Sequence, residues 1–96
     1  MKNKIEIKFK SLPENEAFAR VAVAAFVSQL DPTLEEISDI KTALSEAVSN
    51  AIIHGYENVS DALVTVECRL YKEKVEIAVI DSGKGIEDVK RAMEPK

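Results

Sequence analysis

The sequence predicts an α+β domain in which helices cover one face of a small mixed β-sheet, forming a two-layer sandwich. Three observations support this fold class. Apolar residues alternate with polar ones in three short segments, which is typical of half-buried strands. Two longer segments carry apolar residues at helical spacing, and a short polar turn joins the last two strand segments. No repeat or long linker interrupts residues 1–96, so we expect a single domain.

The first strand and the first helix follow one another directly. Residues 4–10 alternate between apolar and charged side chains and predict a strand with one solvated face. Residues 11–14, Ser-Leu-Pro-Glu, have the form of a capping box, which predicts that a helix begins there and runs to about residue 29. We expect its buried face to consist of Phe18, Val21, Ala22, Ala25 and Leu30.

A second, longer helix begins behind a second capping box, Thr33 with Glu36. It is predicted to run to His54, with Gly55 as its C-terminal stop. Its expected core face is formed by apolar residues at helical spacing: Ile37, Ile40, Leu44, Ala47, Val48, Ala51 and Ile52.

The second half of the chain predicts a hairpin and a last helix. After a polar loop at residues 56–61, residues 64–70 and 75–80 alternate as strands. The short polar turn at residues 71–74 implies that they pair antiparallel. Residues 86–93 predict a short helix, which gives the order β-α-α-β-β-α.

Composition excludes several classes of function. The net charge of −4 argues against a direct nucleic-acid interface, which needs a basic surface. The longest apolar run, residues 21–27, is too short to span a bilayer, so no membrane partner is expected. Cys68 is the single cysteine, which rules out an internal disulfide and favours a cytoplasmic protein.

Three polar residues share one face of the second helix: Glu46, Asn50 and His54 are spaced by four, so they differ by roughly 40° around the axis. The carboxamide oxygen of Asn50 suits Mg²⁺, which binds few protein groups and several phosphate oxygens. Glu46 can accept a proton from a hydroxyl or water. The alternative is structural: both side chains bond neighbouring backbone groups, and His54 is a helix-end cation on the dipole.

The segment Asp81-Ser82-Gly83-Lys84-Gly85 follows the last predicted strand. Glycines let a backbone approach a flat or phosphorylated ligand closely. An ionised aspartate only accepts hydrogen bonds, so Asp81 suits an exocyclic amine such as adenine N6. The same segment is also a good tight turn between a strand and a helix, without any ligand.

Together, the two motifs resemble those of a known family. Residues 46–54, Glu-Ala-Val-Ser-Asn-Ala-Ile-Ile-His, resemble the N box of the GHKL ATP-binding superfamily, and residues 81–85 resemble its first glycine box. The glutamate one turn before the asparagine, and the ending His54-Gly55-Tyr56, are similar to the serine-kinase anti-sigma factors of sporulation rather than to histidine kinases.

The resemblance implies a role for each matching residue. Asn50 would coordinate the Mg²⁺ that bridges ATP phosphates, and Glu46 would be the general base toward a serine hydroxyl. Asp81 would bind the adenine amine, while Gly83 and Gly85 would let the backbone pass the nucleotide. The implied enzyme is an ATP-dependent protein serine/threonine kinase with ATP and Mg²⁺ as cofactors.

The resemblance also implies partners. Such a protein inhibits a sigma factor, phosphorylates a serine of an anti-anti-sigma protein and works as a homodimer. Arg20, in the first helix, is a candidate partner contact; its alternative is a solvent-facing charge. The superfamily's ATP lid, second glycine box and closing strands would lie beyond residue 96, so we expect a C-terminally incomplete domain. A nucleotide-regulated binding module without kinase activity and a GHKL ATPase are the alternative functions.

Overall fold

A computed structural model describes residues 2–58, 63–81 and 85–92. Within these ranges the chain forms four strands, two α-helices and one 3-10 turn. In chain order they are β1 (Asn3–Lys10), α1 (Glu14–Val27), the 3-10 turn (Ser28–Leu30), α2 (Leu34–Asn58), β2 (Leu63–Leu70), β3 (Lys74–Asp81) and β4 (Gly85–Ala92). The predicted α+β class is confirmed.

The strands form one sheet in the order β1-β2-β3-β4. Every pairing among the described residues is antiparallel, so the expectation of a mixed sheet is wrong for this part of the chain. The reason lies in the connection between β1 and β2. Two packed helices carry the chain away from the end of β1 and back to it, whereas a single crossover helix would return a parallel strand. The predicted hairpin of β2 and β3 is confirmed.

One face of the sheet and the inner sides of both helices enclose the core. The strands contribute alternating buried residues, as their patterns predict: Phe9 from β1, Val64, Val66, Cys68 and Leu70 from β2, and Val75, Ile77 and Val79 from β3. Helix α2 contributes Ile40, Leu44, Ala47, Val48, Ala51 and Ile52. This set matches the predicted core face of α2, with Ile37 partly buried at its edge.

Helix α1 turns a different face to the core from the predicted one. Its buried residues are Ala19, Val23 and Val27, spaced by four. Phe18 and Val21, both expected inside, are 57% and 63% exposed. The helix is apolar on several sides, so its periodicity allows more than one inner face. Small and β-branched residues let α1 approach α2 and the sheet closely, and this packing selects the face.

The capping box predicted at residues 11–14 does not form. The helix begins at Glu14, its N-cap is Pro13, and no side chain caps it. Ser11 is buried instead, and its hydroxyl donates a 3.1 Å hydrogen bond to the backbone carbonyl of Ile52 in α2. A buried hydroxyl needs a partner, and here a tertiary contact supplies it in place of the local cap.

Helix α2 has the predicted start and a later end. The backbone amide of Thr33 donates to the Glu36 carboxylate at 2.7 Å, and the Glu36 amide donates to the Thr33 hydroxyl at 3.0 Å. These two bonds confirm the second capping box. The predicted stop at Gly55 is wrong, because a glycine inside a helix costs only about 1 kcal/mol and the helix continues to Asn58. No helix in the described ranges combines the length and apolarity needed to cross a membrane.

The segment after the last glycine is a strand and not the short helix predicted for residues 86–93. Gly85–Ala92 pairs with β3 along its whole length, from Asp81 opposite Gly85 to Lys74 opposite Ala92. Without a neighbour, this edge of β3 would leave its backbone groups unpaired. Ladder hydrogen bonds therefore outweigh a helical periodicity that rests on few apolar residues. Of the predicted loop, residues 56–58 are helical, while residues 59–61 lie outside the described residues.

Candidate nucleotide-binding site

Glu46 and Asn50 lie side by side on the exposed face of α2, away from the core. They line an open depression of about 420 Å³, together with Ser45 and Ser49. Ligand pockets for small molecules commonly measure about 300–1,000 Å³. The depression therefore has a suitable size for part of a nucleotide, and each of its described lining residues carries a polar group.

Neither Glu46 nor Asn50 forms a side-chain hydrogen bond or ion pair with another residue of the described ranges. The structural alternative, in which they bond neighbouring backbone groups, therefore has no support in this part of the chain. The carboxylate is exposed, and the carboxamide presents an oxygen acceptor and two N–H donors to a ligand. An exposed amide oxygen fits a Mg²⁺ ion that takes most of its ligands from phosphates and water.

The third residue of the polar stripe, His54, lies in α2 one turn beyond Asn50. Its backbone is helical, and its side chain is outside the described part of the structure. Helix α2 ends four residues beyond His54, so the two interpretations of His54 both stay open.

The glycine segment begins where β3 ends. Asp81 is the last residue of β3, where it is opposite Val64 of β2 and Gly85 of β4. Gly85 is the first residue of β4. Gly83 lies outside the described residues. The chain thus reverses direction between Asp81 and Gly85; a turn is predicted here, but one that leads into a helix and not into an antiparallel strand.

Strand register places this reversal at the same end of the domain as the second half of α2. Asp81 is opposite Val64, which is opposite Phe9 near the end of β1. Just beyond that strand, Ser11 bonds to the carbonyl of Ile52. Ile52 follows Asn50 by two residues, or about 3 Å along the helix axis. The end of β3 and the second half of α2 therefore lie toward the same end of the fold.

Arg20 lies between the two helices. Its Nη1 atom donates to Glu16 Oε1 at 2.7 Å, an i,i+4 ion pair within α1, and to Ser45 Oγ at 3.3 Å across the helix interface. The side chain is 36% exposed, so Arg20 is neither buried nor freely solvated. The alternative of a solvent-facing charge describes Arg20 only in part, because the guanidinium also contacts Ser45, which lines the depression; its role as a partner contact stays a prediction.

Residues 9–96 match the family described as the histidine kinase-like ATPase domain. The chain belongs to this family. The match spans both motifs and nearly the whole sequence, so it confirms the resemblance to GHKL ATP-binding proteins drawn from residues 46–54 and 81–85.

Several relatives of this chain share one name. The chain is 62% identical to the "Anti-sigma F factor" of Clostridium beijerinckii over 93 residues, which cover 97% of this chain and 65% of that protein. It is 58% identical to the protein of the same name from Clostridium novyi, with the same coverage. For the one from Oceanobacillus iheyensis, the identity is 54% over 95 residues, covering 99% and 65%. The chain thus spans 65% of the length of these curated relatives.

Two residues that line the depression were not predicted from the sequence. Ser45 and Ser49 each precede a predicted site residue by one position, and both line the depression. The signal was present in the sequence, since the pairs Ser45-Glu46 and Ser49-Asn50 repeat at helical spacing. Serine is common on helix surfaces, however, and only the contact with Arg20 distinguishes Ser45.

Other polar groups of this ATPase-family chain offer no second reactive centre among the described residues. No three His, Cys, Asp or Glu side chains of these ranges come together in a way that could hold a metal. Burial raises the pKa of the Cys68 thiol to about 12, although the positive charge of Arg69 partly opposes the shift. At neutral pH, Cys68 is therefore a protonated, apolar part of the core rather than a nucleophile.

Proposed function

We propose that this chain is the nucleotide-binding part of an anti-sigma factor that binds and inhibits a sporulation sigma factor. In this proposal it is also an ATP-dependent protein serine/threonine kinase that phosphorylates a serine of an anti-anti-sigma protein. The observation that carries the proposal is the pairing of Glu46 and Asn50 on the exposed face of α2, at the end of the fold where Asp81 ends β3. Family membership supports ATP as the ligand, and the names of the relatives support the anti-sigma role.

The proposed chemistry on α2 divides between two side chains. ATP with Mg²⁺ supplies an activated phosphoryl group whose charge the metal partly neutralises. Asn50 holds the metal through its carboxamide oxygen. Glu46 accepts the proton of the attacking serine hydroxyl. The exposure of Glu46 supports this role, because a protein substrate has to reach the carboxylate from outside.

The adenine end of the proposed site lies at the reversal between β3 and β4. Asp81 accepts a hydrogen bond from the exocyclic amine of adenine. Gly83 and Gly85 let the backbone pass close to the nucleotide, because they lack a Cβ atom. The location of this reversal toward the same end of the fold as the second half of α2 supports a site that extends from the base at Asp81 to the phosphates at Asn50.

The protein partners belong to the same proposal. The sigma factor and the anti-anti-sigma protein bind a cytoplasmic homodimer, and Arg20 contributes to a partner surface on α1. Support for this role comes from the partial exposure of Arg20, whose side chain is 36% exposed and held by Glu16. A guanidinium fixed in this way can bind a carboxylate of a partner with little loss of side-chain entropy.

Substitution of the proposed base tests the kinase. We expect Glu46→Gln to lower phosphorylation of a serine in an anti-anti-sigma protein about 100-fold or more, because a general base typically contributes a factor of about 10²–10⁴. The measurement is transfer of label from Mg·ATP, with the binding of unlabelled Mg·ATP measured in parallel. Glu35→Gln, an exposed glutamate in the first turn of the same helix, is the matched control.

The names of the relatives refer to anti-sigma action and not to phosphorylation. They therefore favour a second candidate function, a nucleotide-regulated anti-sigma module without kinase activity. Unlabelled anti-anti-sigma protein, together with nucleotide-dependent binding of a sigma factor, would select this module. ATP hydrolysis that proceeds without any protein acceptor and depends on Glu46 would instead select a GHKL ATPase. Label on a serine that is lost in Glu46→Gln supports the kinase.

A further inference from the structure

The Ser45 hydroxyl has a hydrogen-bond donor with no acceptor in the described part of the chain. Its oxygen accepts a 3.3 Å hydrogen bond from Arg20 Nη1. A serine hydroxyl can accept two hydrogen bonds and donate one. Within the described ranges, no acceptor receives the Ser45 O–H group. The half-buried side chain lines the depression that also holds Glu46 and Asn50.

Arg20 determines that this hydroxyl is free to act as a hydrogen-bond donor toward a ligand. Because the guanidinium can only donate, it occupies a lone pair of Ser45 Oγ and leaves the O–H group for another acceptor. The positive charge of Arg20 also polarises the hydroxyl and makes it a better donor. Glu16 holds the guanidinium in place through its 2.7 Å ion pair, in the i,i+4 order that favours glutamate before the cation.

An anionic ligand in the depression needs an additional hydrogen-bond donor. The other described side chains that line the depression include the Glu46 carboxylate, which repels an anion. A phosphate oxygen next to Glu46 therefore needs hydrogen-bond donors and positive charge close by, and the Arg20–Ser45 pair supplies both.

We propose that Ser45 is a ligand-binding residue that donates a hydrogen bond to a phosphate oxygen of a nucleotide in this depression, and that Arg20 is the positioning residue that makes Ser45 a donor. This inference rests on the proposed nucleotide site and adds a specific contact to it. It also connects α1 with the site, because any group that draws Arg20 away from Ser45 weakens this phosphate contact.

Calorimetric titration of the full-length chain with Mg·ATP tests the proposal. We expect Ser45→Ala to weaken Mg·ATP binding about 10-fold to 100-fold, the effect of one hydrogen bond to a charged group. Ser45→Thr, which retains the hydroxyl, should restore most of the affinity. Binding of adenosine, which has no phosphate, should not change. A loss that is equal for adenosine and Mg·ATP would overturn the phosphate contact.

A double-mutant cycle tests the role of Arg20. The losses of Mg·ATP affinity caused by Arg20→Met and by Ser45→Ala should be strongly non-additive, because each substitution removes the same contact. Arg20→Met and Ser49→Ala form the matched cycle, since Ser49 lines the depression without bonding to Arg20. Non-additivity in the first cycle alone supports the positioning role, and additivity in both overturns it. Absence of Mg·ATP binding by the unmodified protein would refute the proposed function itself, so the two failures are distinguishable.

Discussion

The two faces of the sheet are stabilised by different forces. On the inner face, beneath α1 and α2, the side chains of β2 and β3 are apolar and almost fully buried. On the opposite face, Arg69 bonds to Glu67 at 2.8 Å and to Glu76 at 3.3 Å, while Lys74 lies 3.5 Å from Glu76. Burial of apolar area stabilises by roughly 25 cal/mol per Å², whereas ion pairs between partly exposed groups are weak and are screened by salt. The inner face should therefore dominate stability.

Ion pairs and hydrogen bonds on the charged face shift the pKa values of Glu76 and Arg69. Partial desolvation works against ionisation of Glu76, but hydrogen bonds from Arg69 and Tyr71 outweigh it and lower the pKa of the carboxyl. Desolvation likewise opposes the charge of Arg69, but its bond to Glu76 raises the guanidinium pKa. The helix layer therefore determines whether the domain folds, while the charged face changes the stability of the domain with pH.

The largest expected effect is a change in the helix layer. Leu44 is fully buried at the centre of α2. We expect Leu44→Ala to lower the free energy of unfolding by about 2–5 kcal/mol, because it removes buried methyl groups and leaves a cavity. Chemical denaturation followed by circular dichroism measures this change.

Phe18→Ala is the control for this prediction. The side chain is larger than that of Leu44, but it is 57% exposed on the outer side of α1. Its loss should cost clearly less than the loss of Leu44. An equal or greater cost for Phe18→Ala would mean that α1 buries the face that its sequence predicts.

The two helices also show what sequence could and could not predict. In α2, polar residues occupy nearly every position outside one stripe, so the apolar residues from Ile37 to Ile52 define a single inner face. In α1, alanine and valine occur on several sides, and only packing decides that Val23 is inside and Val21 outside. Local pattern therefore predicts a helix face only when the other faces are polar.

The candidate site also has features that the sequence predicts and features that depend on packing. The spacing of Glu46 and Asn50 is sufficient to place both on one face of α2, since helix geometry alone determines it. That this face is exposed, and that Ser45 contacts Arg20, depends on how α1 packs against α2. The strand at Gly85–Ala92 was missed for a related reason, because its hydrogen-bond partner is β3 and not its own sequence.

A smaller effect is expected at the start of α2. Thr33→Ala removes the hydroxyl that accepts from the Glu36 amide, and we expect a loss of about 1 kcal/mol in the free energy of unfolding. Glu14→Ala is the counterpart in α1, where no side-chain cap exists, and should change stability by less than about 0.5 kcal/mol. Equal losses for the two variants would show that the box predicted at residues 11–14 does form.

The smallest effect belongs to the charged face and depends on pH. Because the pKa of Glu76 is lowered in the folded state, its contribution is present above the ordinary glutamate pKa of about 4.3 and is lost as pH falls through the lower, folded pKa. Glu76→Gln should therefore lower the thermal unfolding midpoint at pH 7, and the difference from the unmodified protein should shrink toward zero in acid. Glu73→Gln, in the exposed turn before β3, controls for the loss of one negative charge. A difference that stays constant from pH 7 into acid would mean that Glu76 acts through packing and not through its ion pairs.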